Sequence, residues 1–214
     1  MHLTKQCLLC VSLLATLFLS PLAKADGVPA ILSMKERAAF IDNITELRVN
    51  TLMPSLMKQH NIDMWLLISR EYNEDPILKT MLPATWLSAR RTTILLFALN
   101  EQGNVDAYAI APYKIGNVFT KGWDKKAQPN QWQALNDIIE RYNPDNIALN
   151  TSTDWGHADG LVLGDYNTLM ANLPSAYKNK IISAEPLAVA WLEQRIPQEI
   201  DMYKHIVAIA HAII

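Results

Sequence analysis

Cysteine is nearly absent: the chain holds two, Cys7 and Cys10, and both stand at its very start. They lie inside an apolar run, residues 7–19, that follows Lys5 and precedes the helix-breaking Pro21 and the small residues Ala23-Lys24-Ala25. This is the pattern of a secretory signal peptide, predicted to be cleaved after Ala25. Once the leader is removed, no disulfide and no thiol chemistry remain, so a core alone must hold the domain. Long apolar runs are also missing, since no stretch approaches the roughly 20 residues that a spanning helix needs. A membrane span is therefore not expected, and the destination is periplasmic or secreted. An excess of positive charge is absent too, with 19 basic against 21 acidic side chains and a net charge of −2. The leader contains Lys5, Lys24 and no acid, so the mature balance is more acidic still. Nucleic acid is not an expected partner.

Catalytic signatures are missing as well. The chain has no GxSxG, HExxH, P-loop or GxGxxG pattern, and no nucleophile stands beside a histidine in a recognisable way. Asp154, His157 and Asp159 crowd one polar loop, but no zinc signature has their spacing, and a solvated loop is the expected reading. His205 and His211, six apart on one helical stretch, face different sides. His60 stands where it can meet the carbonyls of a helix end. Asn43-Ile44-Thr45 and Asn150-Thr151-Ser152 match the glycosylation acceptor, a pattern that often arises by chance.

What is present is an α/β pattern. Residues 64–69 and 92–99 are almost continuously apolar and bounded by polar or turn residues, as strands covered on both faces are. Ser33 with Glu36 has capping-box spacing, and Phe40, Ile44, Leu47, Leu52, Leu56 and Met57 form one stripe of a long helix that Pro54 kinks or divides. Asn61 is a helix stop. Residues 100–104, with Gly103, predict an antiparallel hairpin into a third strand, 105–110, in which Val105, Ala107 and Ala109 share the more buried side. Trp132, Leu135, Ile138 and Ile139 mark a helix ending near Tyr142 and feeding a strand at 146–150, half of a crossover unit, so the sheet should be mixed. A polar loop over 151–160, a helix over 163–173, a short strand at 181–183 and a helix over 187–192 anchored by Trp191 complete the pattern. Pro197 and Glu199 open a last amphipathic helix. Its end, residues 207–214, is apolar almost all round, which predicts an element that continues into a further domain.

The linker between the two central strands leaves the first strand at its carboxyl end, where open α/β sheets usually place ligands. It carries Arg70-Glu71-Tyr72-Asn73-Glu74-Asp75-Pro76 and Pro83-Ala84-Thr85-Trp86-Leu87-Ser88-Ala89-Arg90-Arg91.

Residues 62–76 and 83–95, together with Asp159-Gly160-Leu161, Ser183-Ala184-Glu185 and the stretch from Pro197-Gln198-Glu199-Ile200 to residue 214, resemble the Xaa-Pro aminopeptidase branch of the creatinase/prolidase metallopeptidases. The resemblance spans nearly the whole mature chain and implies that family's N-terminal domain, a mixed sheet flanked by helices in a ribonuclease-H-like arrangement. By this resemblance residues 1–25 are the leader, 26–195 the N-terminal domain, and 196–214 the truncated first helix of a "pita-bread" catalytic domain. That second domain binds two divalent ions (Mn, Co or Zn) through two Asp, one His and two Glu. All five ligands would lie beyond Ile214, so this chain binds no metal cofactor, has no catalytic residue of its own and is expected to be inactive alone. The implied partners are a second copy or a full-length relative, with a peptide substrate only when the catalytic domain is supplied. A standalone binding or assembly module and a degenerate fragment are the alternatives. Arg70, Tyr72, Asn73, Trp86 and Arg90 are the candidates for lining a peptide pocket: the arginines for a carboxylate, Tyr72 and Trp86 for apolar walls. Ile196 departs from the capping Thr or Ser usual before such a helix.

Overall fold

The computed structural model describes residues 29–214; the leader expected at 1–25 lies outside the described residues. Residues Leu32–Ile200 form one compact unit. Its centre is a six-stranded mixed sheet, ordered β4-β3-β2-β1-β5-β6. The strands are β1 (Met64–Arg70), β2 (Thr92–Leu99), β3 (Val105–Ile110), β4 (Thr120–Lys121), β5 (Ile147–Leu149) and β6 (Ile181–Ser183). The first three form an antiparallel meander, with Leu66 opposite Leu96 and Phe97 opposite Ala107. On the other side of β1, β5 and then β6 pair in parallel. The mixed sheet that a helix feeding a strand at residue 146 predicts is thus present, and the crossovers put helices on both faces.

Alternation decides which layer each side chain meets. In β1, Trp65 and Leu67 join one core cluster with Val49, Met53, Leu56, Ile77, Leu187 and Trp191. Met64, Leu66 and Ile68 point the other way, onto Leu135, Ile138, Ile139 and Leu169. The first layer is built from α1 (Met34–Leu47), α2 (Met53–Gln59), α3 (Pro76–Lys79) and α7 (Glu185–Glu193). The second is built from α4 (Gln131–Tyr142), α5 (Leu163–Asn172) and α6 (Ser175–Lys178). Burying both faces of β1 explains its uninterrupted apolar run. In β3, Ala107 and Ala109 are buried while Asp106 and Tyr108 are half-buried, the asymmetry its alternation predicts.

Local chemistry sets the boundaries. The Ser33 hydroxyl accepts from the Glu36 amide at 3.3 Å, and Glu36 accepts from the Ser33 amide at 2.8 Å, a complete capping box. Pro54 does not break the stripe. The turn before it widens to a π-helix over Arg48–Leu52, where the Met53 amide reaches Arg48 O, and Pro54 falls in the first turn of α2, where its missing donor costs nothing. Asn61 stops the helix with φ of 52°, in the left-handed region. Three elements go beyond the sequence expectation: α3, capped by Asp75; α6; and the two-residue β4, parallel to β3 through Tyr108 and Thr120.

The last helix, α8 (Pro197–Ile213), starts in this unit. Its first turn is fastened by Arg48, which donates to Glu199 at 2.6 Å, to Gln194 O at 2.8 Å and to Trp191 O, with its guanidinium 4.2 Å from the Trp191 ring centroid. Glu199 also accepts from the Ile196 amide at 3.0 Å, supplying the bond that a capping side chain at 196 does not. The other described residues, 29–31 and 201–214, form a second unit, in which His205 Nε2 lies 3.0 Å from Ala30 O and Lys204 pairs with Asp201 at 2.8 Å.

Candidate functional site

The carboxyl edge of β1 and β5 gathers the chemically distinctive residues of the sheet unit. Asp75 is its floor. Its residue is 1 % exposed, and it caps α3 by accepting from the Ile77 and Leu78 amides at 2.8 and 2.9 Å. The other carboxylate oxygen accepts from Asn150 Nδ2 at 2.8 Å, while Asn150 Oδ1 accepts from Trp65 Nε1 at 2.8 Å. Ser69 Oγ accepts from the Asp75 amide at 2.9 Å. A chain of hydrogen bonds therefore runs from the core, through the end of β5, to the loop leaving β1. Burial pushes the Asp75 carboxyl above its ordinary value, and the bonds from Leu78, Asn150 and Ile77 offset this only in part. Gly160 closes over it: a Cβ there would stand 2.1 Å from Asp75 Oδ2 and 2.8 Å from Pro76 Cδ, so no side chain fits.

Above this floor the two linker loops are stitched together. Glu71 N donates to Arg91 O at 2.8 Å and the Arg91 amide donates to the Glu71 carboxylate at 3.1 Å. Glu74 accepts from the amides of Tyr72 and Ala89 at 3.0 and 2.9 Å. Both Tyr72 and Arg91 have positive φ, 66° and 52°. Such a backbone is strained for a bulky side chain, and the pattern recurs at ligand-contacting loops.

The five residues singled out for a pocket all fall in this cluster. Arg70 pairs through Nε with Asp165 of α5 at 3.2 Å, its side chain 52 % exposed. Tyr72 is 83 % exposed, and Asn73, also exposed, bridges back to Arg70. Trp86 is half-buried, edge-on to Tyr113 at 5.8 Å, and carries the Arg90 guanidinium 4.9 Å above its ring. The Tyr113 hydroxyl donates to Arg90 O, and its burial pushes that hydroxyl above the usual tyrosine value. None of the five lines the cleft of about 320 Å³ that α1 forms with residues 81–83 and 116–119, where Asp42, Asn43, Glu46, Leu82, Pro83 and Val118 are wall residues. That cleft touches the second loop from behind, where Asp42 accepts from the Ala84 amide at 2.8 Å.

Among the described residues no three His, Cys, Asp or Glu side chains converge on a possible metal position. Asp159 instead accepts from the Ser152 amide at 3.2 Å, and Ser152 Oγ bonds Glu185 at 2.5 Å. Asn150, first residue of one glycosylation pattern, is 1 % exposed and fully engaged, so it is no acceptor in this fold. His60 Nε2 is buried without a hydrogen-bond partner, and its backbone amide, rather than its ring, meets the helix-end carbonyl of Leu56. Sequence reasoning missed Asp75, Asn150 and Gly160. The signal for Asp75 was its place before Pro76, a capping residue followed by the residue favoured at the first helical position. No protein-family model matches this chain, and no curated protein matches it.

Proposed function

We propose that the sheet unit is the N-terminal, noncatalytic domain of an exported Xaa-Pro aminopeptidase-like metallopeptidase of the creatinase/prolidase type, with a ribonuclease-H-like arrangement. In this reading the unit supports oligomerisation and borders a peptide pocket with the loops that leave β1 and enter β2. The observation that carries it is that the two longest resembling stretches, 62–76 and 83–95, fold into one substructure: neighbouring strands β1 and β2, plus the two stitched loops at their shared end. The mixed, helix-flanked sheet is the kind of scaffold this domain requires. The residues present do not fit a two-metal centre, because no three potential ligands come together among them. Water activation would thus fall to a domain reached through α8, and no step of it is assigned to this chain.

The test is hydrolysis of an Xaa-Pro peptide by the 214-residue chain, stripped with chelator and reloaded with Mn²⁺ or Co²⁺. No release of the N-terminal residue is expected, and release should appear when a catalytic domain is joined after α8. Metal-dependent release by the 214-residue chain itself would overturn the proposal.

A further inference from the structure

The carboxyl-edge loops segregate their charges in depth. Every acid of the cluster is turned inward: Glu71 onto the Arg91 amide, Glu74 onto the amides of Tyr72 and Ala89, Asp75 into the floor, Asp165 onto Arg70. The cations are turned outward. Arg90 and Arg91 are exposed, and Arg70 is half-exposed, engaged only through Nε. Stacking on Trp86 holds the flat face of the Arg90 guanidinium and leaves its N–H edges directed away. Between these donors stand two of the most exposed large apolar side chains of the described residues, Leu87 at 93 % and Tyr72 at 83 %. Exposed apolar side chains rimmed by unoccupied donors mark an interaction surface, and Tyr, Trp and Arg are the types that dominate such contacts.

We infer that this surface docks an extended peptide segment in which acidic side chains alternate with apolar ones. Carboxylates would pair with the outward guanidinium edges of Arg70, Arg90 and Arg91, while apolar side chains would cover Leu87, Tyr72 and the exposed part of Trp86. A peptide is favoured over nucleic acid because the buried acids leave the cluster as a whole without excess positive charge. Long-range attraction to a phosphate backbone is then weak, and recognition must be short-range. The inference deepens the proposed function by naming what the pocket-bordering loops take up, and it rests on that reading only for their facing a substrate.

The test is fluorescence anisotropy with the 214-residue chain and a short labelled peptide alternating Glu and Leu. Saturable binding is expected, weakened at least about tenfold when Gln replaces each Glu. The double variant Arg90→Gln, Arg91→Gln should lose binding to the same extent. Leu87→Ser and Tyr72→Gly should each weaken it severalfold with unchanged circular dichroism, the glycine being suited to the backbone at 72. Equal binding of the Gln peptide, undiminished binding by the arginine variant, or equally tight binding of a single-stranded oligonucleotide would overturn the inference. Peptide binding by a chain whose joined catalytic domain never cleaves an Xaa-Pro bond would sink the enzyme reading alone. Cleavage without peptide binding at these loops would sink only this inference.

Discussion

Arg48 and Asp75 are both buried, at 6 % and 1 % exposure, yet the guanidinium is met by an opposite charge and the carboxylate by neutral donors alone. Around Arg48 the Glu199 carboxylate, two main-chain carbonyls and an indole ring leave little unsatisfied. Around Asp75 two amides and one carboxamide do the work, and its ionised form remains costly. The difference teaches where each is used. The ion pair fastens helix ends that are far apart in sequence. The uncompensated carboxylate sits beneath loops that face outward, where some stability is given up to hold a shape.

Removing one partner of a buried pair is the harshest way to break this contrast. Arg48→Met should cost roughly 3 kcal/mol, the low end for a buried ion pair, because Glu199 is 17 % exposed and keeps the Ile196 amide. Urea unfolding measures it, and a loss below about 1 kcal/mol would mean that the pair is as weak as a surface one. Gly160→Ala should cost about 2–3 kcal/mol by overpacking, since the carboxylate that its methyl would strike is held on both oxygens. Asp75→Asn should cost about 2 kcal/mol. Its new amide would face Asn150 Nδ2 donor to donor, and Asn150 cannot turn over without losing its bond from Trp65.

The pH response sharpens the same comparison. With its pKa raised above the unfolded 3.8, Asp75 binds protons more readily in the folded state. Its contribution therefore favours folding at acid pH, declines as pH rises from about 3.8 through the raised value, and is flat beyond. Glu36, lowered from 4.5 chiefly by its bonds with Ser33, acts oppositely: its contribution is present above 4.5 and is lost as pH falls through the lowered value. Melting temperatures from pH 3 to 7 for Asp75→Asn and Glu36→Gln should converge on or diverge from the parent with opposite slopes; parallel curves would refute the assignment. The smallest effect is expected at Tyr72→Gly, between zero and about 1 kcal/mol of stabilisation, as relief of a left-handed backbone offsets added chain entropy.

These contrasts also mark what the sequence could tell. Strands β1 and β2 were legible because their apolar runs are long and covered on both faces, and the Ser33 cap because its chemistry is complete within four positions. The strand β4 and the helix α3 were not, since two and four residues are too few to display a period. Within the candidate site, exposure of Tyr72 and Arg90 followed from their place in a polar linker. The pairing of Arg70 with Asp165 and the seating of Asp75 under Asn150 and Gly160 did not, because those partners are supplied by distant parts of the chain.

The two outer strands carry a last consequence. Only Thr120–Lys121 borders the sheet on one side and Ile181–Ser183 on the other. Margins so brief offer a newcomer almost no row of free amides and carbonyls to zip onto, and a lysine stands on one of them. Growth of the sheet from molecule to molecule is thereby discouraged, and whatever joins this protein must grip side chains and loops instead.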